Sequence, residues 1–182
     1  MLFRSTDAEG RLVLADALTY AEEDLGATAI VDLATLTGGV VVALGHFCAG
    51  WFCNHDELSR SIESASAQAG ERLWKLPLWK EHQDFMRGQH ADLINSNPQR
   101  SAHPIQGAAF LSHFVKPETP WAHIDIAGVG NVDGPTDLRH GPHRLGRPPA
   151  HRLGRGRGAV TAAFLPEIPT TGCRSPAFRC MM

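Results

Sequence analysis

The chain has 182 residues, of which 43% are hydrophobic and 20% are charged, and its formal net charge is −2. This composition is typical of a globular protein large enough for one substantial core, and so small a net charge gives no general attraction to nucleic acid. No apolar stretch of the sequence approaches the roughly 20 residues that a membrane-spanning helix needs. The first residues do not resemble a signal peptide, so we expect a cytoplasmic protein with no membrane partner.

The spacing of apolar residues predicts helices and strands in alternation. Leu14, Leu18 and Ala21 follow a helical repeat, which predicts an amphipathic helix at 12–23. A short apolar run with β-branched residues predicts a buried strand at 29–33. The further predictions are a strand or short helix at 39–44, strands at 48–53 and 121–127, helices at 56–69, 80–87 and 105–115, and an extended segment at 74–79. Such an alternation indicates an α/β fold, a mixed sheet flanked by helices.

The end of the chain differs in composition from the rest. Residues 143–158 are rich in Arg, His, Pro and Gly, contain no acidic residue and follow no helical or strand period. Such a stretch buries too little apolar surface to offset its conformational entropy. We therefore divide the chain into a domain at 1–142 and a divergent basic tail at 143–182, which we expect to be disordered. A nucleic-acid contact through 139–157 is the weaker alternative for this tail, and we expect no nucleic-acid partner.

Three charged residues stand at alternate positions near the start of the chain, namely Asp7, Glu9 and Arg11. In extended backbone these side chains lie on one side and could point at one small volume. Two neighbouring carboxylates repel unless a cation lies between them, and carboxylate oxygens suit Mg²⁺, Mn²⁺ and Zn²⁺. The same spacing fits a helix start with Thr6 as N-cap and Glu9 as its capping-box partner, so it does not by itself establish a metal site.

Residues 6–12, Thr-Asp-Ala-Glu-Gly-Arg-Leu, resemble the signature of the leucyl (cytosol) aminopeptidase family, where asparagine usually precedes this run and Ser5 stands here. Other stretches resemble the family in the same order, at 13–18, 32–38, 43–45, 74–78, 91–93, 107–111 and 121–129. The likeness covers residues 1–142, and the sequence departs from the family after them. The resemblance implies a partial aminopeptidase catalytic domain, its C-terminal portion.

The resemblance implies a metal-dependent hydrolase that releases N-terminal amino acids, of leucine type, from a peptide substrate. It implies that Asp7 and Glu9 are ligands of two divalent metal ions, Mn²⁺ or Zn²⁺, which activate the attacking water. Arg11 would be catalytic and would hold a bicarbonate-like anion that acts as general base.

The family resemblance also gives a role to the loop at 35–38. This loop would lie beside the metal ions, with the backbone of Leu36 contacting the substrate. Thr35 and Gly38 would help to shape the pocket for the first side chain of the peptide. The resemblance further implies a homo-oligomer, a hexamer, in the cytoplasm.

The family has further active-site residues upstream of the signature: a lysine and two aspartates that bind metal, and a second lysine near the scissile carbonyl. Here Met1 stands just before Ser5, so we expect those groups to be missing and the chain to be truncated at its N-terminus. The alternative to an active enzyme is therefore a catalytically inactive fragment that acts at most as an assembly or binding module.

The ten histidines are scattered along the sequence. His123 lies inside the predicted strand at 121–127. Because a lone histidine in a strand is more often hydrogen-bonded than metal-bound, we expect His123 to belong to the core or to support a site residue without binding a ligand itself.

Overall fold

The computed structural model describes residues 8–99 and 101–130, together with the backbone of 160–165. The helices are α1 (Glu9–Glu23), α2 (Gly38–Leu44), α3 (Asp56–Ala69), α4 (Lys80–Asp84) and α5 (His103–Leu111), the last followed by a 3-10 turn (Ser112–Phe114). The strands are β1 (Ala29–Ala34), β2 (Ala49–Cys53), β3 (Leu73–Lys75), β4 (Trp121–Asp125) and β5 (Val160–Leu165). Among these described segments, no helix is long and apolar enough to span a bilayer.

The helix ends follow local capping chemistry. The α3 helix has the predicted bounds, because the His55 side chain accepts from Leu58 N at its start and Gly70, at φ 73°, ends it in the left-handed region. The run at 39–44, for which the sequence left strand and helix open, is helical, since the Thr37 side chain caps α2 by accepting from Val40 N. The α1 helix begins at Glu9 rather than at residue 12, without a side-chain cap on its N-cap, Ala8.

The strands form one mixed sheet in the order β3-β2-β4-β1-β5. The β1 strand is parallel to β4, with Ile30 opposite Trp121 and Ala34 opposite Asp125, whereas β2 runs antiparallel to β4 and parallel to β3. The α3 helix packs against β2 and β4, while α1, α2 and α4 pack against α5. The predicted α/β fold, a mixed sheet flanked by helices, is thereby confirmed.

The β5 strand lies inside the segment 143–182, where the sequence predicted no strand. It pairs antiparallel with β1 along its whole length, with Ala29 opposite Leu165 and Ala34 opposite Val160. The remainder of that segment, and with it the domain boundary expected at residue 142, lies outside the described residues.

The core lies between α1, α5 and the sheet. Leu14, Leu18 and Ala21 of α1 are buried, as their spacing predicted. They join one apolar cluster with Phe110 of α5 and Trp121 of β4. A fully buried Leu or Phe contributes roughly 1.5–3 kcal/mol, so this packing holds α1 against α5 and the sheet.

The parallel pair β1 and β4 ends at one edge of the sheet. Ile126 N donates to Ala34 O over 2.9 Å, which extends the pairing beyond the last residue of β4. The loops that leave the two strands, 35–37 and 126–130, therefore emerge side by side. In open α/β sheets this edge is where ligands bind.

Candidate active site

A cavity of about 310 Å³ lies at this edge of the sheet. It is lined by residues from the start of α1 and from the loop after β1, and by Ser96, His103 and Ala127. All the described residues that the sequence assigned to the site line it, namely Glu9, Arg11, Thr35, Leu36 and Gly38. The structure therefore brings together two motifs that are separated in the chain.

The start of α1 has a geometry other than the extended one expected from the sequence. Glu9 and Arg11 lie in the first turn of a helix, where residues two apart do not share a face. They nevertheless line the same cavity, Glu9 with an exposed side chain and Arg11 with a buried one. The N-cap of α1 is Ala8, so Glu9 is the first helical residue and not the third, which the capping-box alternative required. Asp7 lies outside the described residues.

Arg11 is held at the cavity wall by the loop that contains Asn95, which the sequence did not assign to the site. Its Nη1 donates to the main-chain oxygen of Asn95 over 2.8 Å, and Asn95 Nδ2 donates to Ala8 O over 3.0 Å. Both Arg11 and Asn95 are buried, and a buried guanidinium is tolerated only when it is hydrogen-bonded. Asn95 thus fixes the start of α1 and the orientation of Arg11 together.

The loop after β1 is held by Asp125, a residue that the sequence analysis missed. Asp125 Oδ1 accepts from Leu36 N at 3.0 Å and from Ala127 N at 3.1 Å, and its Oδ2 accepts from Thr37 Oγ1 at 2.6 Å. Its side chain is fully buried. The signal available in the sequence was an acidic residue inside a predicted strand, a position where a charge needs local partners.

The α5 helix packs against the same loop. A Cβ atom on Gly107 would lie 2.8 Å from Leu36 Cδ2 and 3.0 Å from Thr37 Cγ2. A Cβ atom on Gly39 of α2 would lie 2.6 Å from Nδ1 of His103, which also lines the cavity. Both contacts are closer than an alanine permits, so these glycines let α5 approach the loop and α2.

His123 lies in the core, as expected, and does not line the cavity. Its Nδ1 is hydrogen-bonded to Asp32 Oδ1, while Trp121 Nε1 donates to Asp32 Oδ2 over 2.7 Å. Burial acts to lower the pKa of His123, but the charge and hydrogen bond of Asp32, helped by Asp125, outweigh it, and the pKa is raised above its ordinary value. Arg11 acts in the opposite direction.

The described residues contain no group of three or more His, Cys, Asp or Glu side chains able to hold a metal ion. Within that part of the chain, Glu9 is the carboxylate that lines the cavity. A two-metal site needs several bridging and terminal ligands, so the described donors do not by themselves make one.

A mixed α/β sheet with polar loops around a cavity at the ends of its parallel strands is the architecture of an α/β enzyme domain. Residues 2–149 match the catalytic domain of the cytosol aminopeptidase family, and the chain belongs to that family. The resemblance seen in residues 6–12 is confirmed.

Relatives of known sequence agree with this assignment. The chain is 53% identical over 125 residues to a probable cytosol aminopeptidase of Prochlorococcus marinus (strain MIT 9312), a match over 69% of this chain and 25% of that protein. It is 54% identical over 124 residues to one of Thermosynechococcus vestitus, covering 68% of this chain and 24% of the relative. The chain therefore spans about a quarter of the length of these relatives.

A solved structure is similar as well. A mutant of tomato leucine aminopeptidase superposes with a TM-score of 0.66 at 45% sequence identity, covering 71% of this chain and 25% of the tomato chain. At 45% identity the two chains share both the fold and the family.

Proposed function

We propose that this chain carries part of the active site of a metal-dependent aminopeptidase, which releases N-terminal amino acids of leucine type from peptides. The observation that carries the proposal is the convergence of Glu9 and Arg11 with Thr35, Leu36 and Gly38 on one cavity. Membership of the cytosol aminopeptidase family supports the same reaction. A homohexamer in the cytoplasm is proposed with it, on the family resemblance.

Asp7 and Glu9 would supply carboxylate oxygens to two divalent ions, Mn²⁺ or Zn²⁺. Bound there, such ions provide an activated water and stabilise the oxyanion of the tetrahedral intermediate. Since two carboxylates are too few donors for two ions, the complete site would take further ligands from outside the described residues. The exposed side chain of Glu9 at the cavity suits this role, because it can reorient towards an ion.

Arg11 would bind the bicarbonate-like anion that serves as general base. Its guanidinium lines the cavity and is oriented by the 2.8 Å bond to Asn95 O. A planar guanidinium held in one orientation suits a small anion with two oxygens in a plane. The side chain would therefore position the base without itself taking up a proton, since arginine stays charged in proteins.

The loop at 35–38 would bind the peptide. Leu36 N already donates to Asp125, so a contact between the Leu36 backbone and the substrate would use the Leu36 carbonyl oxygen. That oxygen accepts hydrogen bonds and fits a peptide N–H. Thr35 and Gly38, which also line the cavity, would shape the pocket for the first side chain.

The test is hydrolysis of leucine p-nitroanilide by the full chain with Mn²⁺, together with calorimetric titration of Mn²⁺. Any turnover that the chain shows should fall at least about a hundredfold in Glu9→Gln, the scale on which one electrostatic group acts in catalysis. Glu23→Gln is the matched control, since Glu23 is exposed at the other end of α1. No turnover combined with no Mn²⁺ binding would contradict the proposal and favour an inactive assembly or binding module.

A further inference from the structure

Asp125 is buried behind the cavity wall and does not line the cavity itself. A carboxylate in such a place is costly unless hydrogen bonds satisfy it. The described donors to it are two consecutive residues of the loop after β1, Leu36 and Thr37, and the main-chain N–H of Ala127. The described hydrogen bonds of Asp125 therefore all come from the loops after β1 and β4, which surround the cavity.

The register of the sheet explains why one carboxylate reaches this loop. Asp125 is the last residue of β4 and stands opposite Ala34, the last residue of β1. Because the two strands are parallel, the chain leaving Ala34 passes directly beside the Asp125 side chain. Leu36 N donates to one carboxylate oxygen and Thr37 Oγ1 donates to the other, so the loop is held at two successive residues.

The bond to Thr37 also sets the direction of a second hydrogen bond. A hydroxyl has one proton, and Thr37 Oγ1 donates it to Asp125 Oδ2 over 2.6 Å. Its lone pairs therefore remain for Val40 N, which donates to Thr37 Oγ1 over 3.2 Å at the start of α2. Asp125 thereby connects the end of β4, the loop and the first turn of α2.

On its other side the same loop rests against α5. A Cβ atom on Gly107 would press on Leu36 and Thr37 at 2.8 and 3.0 Å. The loop is thus confined between a carboxylate on the sheet and a glycine on the helix. It has little room to move away from the cavity without breaking the bonds to Asp125.

We propose that Asp125 is a positioning residue, which holds Leu36 and Thr37 so that the loop at 35–38 forms a fixed wall of the cavity. The catalytic consequence rests on the proposed aminopeptidase function. The consequence for the loop does not, and the two can be tested separately.

The first measurement is amide hydrogen exchange in the full chain by NMR. Thr37→Val keeps the shape of the side chain but removes its hydroxyl, and we expect the Val40 amide to exchange at least tenfold faster. Thr37→Ser restores the hydroxyl and should return the rate to within twofold of wild type. Ser59 N, bonded to His55 O in α3, is the internal control and should not change in either variant.

Asp125→Asn tests the carboxylate itself. An amide can still accept from Leu36 N and Ala127 N, but its NH₂ group cannot accept the Thr37 proton. We expect the Val40 amide to exchange at least tenfold faster in this variant, with the exposed Asp16→Asn as control. If Asp125→Asn does not fold, the Leu36 amide in Thr37→Val decides, because its acceptor Asp125 Oδ1 is still present and its exchange should be at least tenfold faster only if the bond from Thr37 to Asp125 holds the loop. A Val40 rate within twofold of wild type in a folded variant overturns the proposal.

The second measurement is the KM and kcat of leucine p-nitroanilide hydrolysis with Mn²⁺. We expect Thr37→Val to raise KM about tenfold with a smaller change in kcat, and Thr37→Ser to rescue it. Faster exchange with an unchanged KM would overturn the substrate-positioning role. A wild-type chain with neither turnover nor Mn²⁺ binding contradicts the proposed function, and the exchange rates then decide the role of Asp125 without it.

Discussion

Asp32 of β1 and His123 of β4 stand opposite each other in the parallel pair, and their side chains are hydrogen-bonded and fully buried. The Trp121 indole donates to the other oxygen of Asp32, and the His123 ring stacks on those of Phe52 and Trp121. The pair thus lies near the centre of the sheet, two residues before the ends of the strands from which the cavity loops leave. Its ionisation should make the stability of the whole domain depend on pH.

The sign of that dependence follows from the raised pKa of His123. A group whose pKa is higher in the folded state stabilises fully below its unfolded pKa, about 6.5 for histidine, and loses this contribution as pH rises through the folded value. We expect the free energy of unfolding to fall above about pH 6.5, by about 1.4 kcal/mol for each unit by which the pKa is raised. Urea denaturation across this range measures it.

The matched pair for that experiment is His123→Gln and His90→Gln. The first removes the buried titrating group, so this part of the pH dependence should vanish. The second removes an exposed histidine and should leave the curve of wild type unchanged. A wild-type stability that rises between about pH 6.5 and pH 9, relative to His123→Gln, would contradict the assignment.

Removing the other member of the pair should be more severe. Asp32→Asn leaves the His123 imidazole without its carboxylate, and breaking a buried pair in this way typically costs about 3–5 kcal/mol. Trp121→Phe keeps the pair, loses the 2.7 Å bond to Asp32 and part of a buried ring, and should cost less. Asp24→Asn, at the exposed end of α1, is the control, and equal unfolding free energies for it and Asp32→Asn would refute the prediction.

The start of α1 offers a third test, since its N-cap, Ala8, has no capping side chain. Asn95 Nδ2 donates to Ala8 O, so Asn95→Ala should destabilise the domain by about 1 kcal/mol and increase amide exchange in the first turn of α1. The bond from Arg11 to the main chain of Asn95 would survive. Asn97→Ala, which loses a 3.3 Å bond to Phe85 O instead, should leave exchange in that turn unchanged.

How much the sequence could predict depended on how local the interactions were. The α3 bounds agree with the sequence because the residues that set them, His55 and Gly70, directly flank the helix. The run at 39–44 stayed ambiguous because a short apolar segment suits a strand or a helix, and only the hydrogen bond from Val40 N to Thr37 distinguishes them. The β5 strand was missed because its pairing with β1 depends on residues far apart in the chain.

Prediction of the site residues also depended on how local their contacts are. A contiguous motif identified Glu9 and Arg11, and a second identified the loop at 35–38. Asn95 and Asp125 were missed because their bonds to Arg11 and Leu36 span 84 and 89 positions, which no local pattern reveals. Neither residue lines the cavity, but each is hydrogen-bonded to a residue that does. Such contacts can be recognised only once the fold has brought the segments together.

The packing of α2 on α5 gives the last prediction. A Cβ atom on Gly39 would lie 2.8 Å from both His103 Cβ and Pro104 Cδ, and neither atom is the end of a flexible chain. We expect Gly39→Ala to destabilise the domain by about 1–3 kcal/mol, the usual cost of overpacking, despite the higher helix propensity of alanine. At Gly38, in the same helix, a Cβ atom meets nothing within 4 Å, so Gly38→Ala should be neutral or slightly stabilising. Urea denaturation of the two variants compares them directly. Equal midpoints would contradict the prediction, because α5 would then move away from the new Cβ atom at His103 without loss of stability.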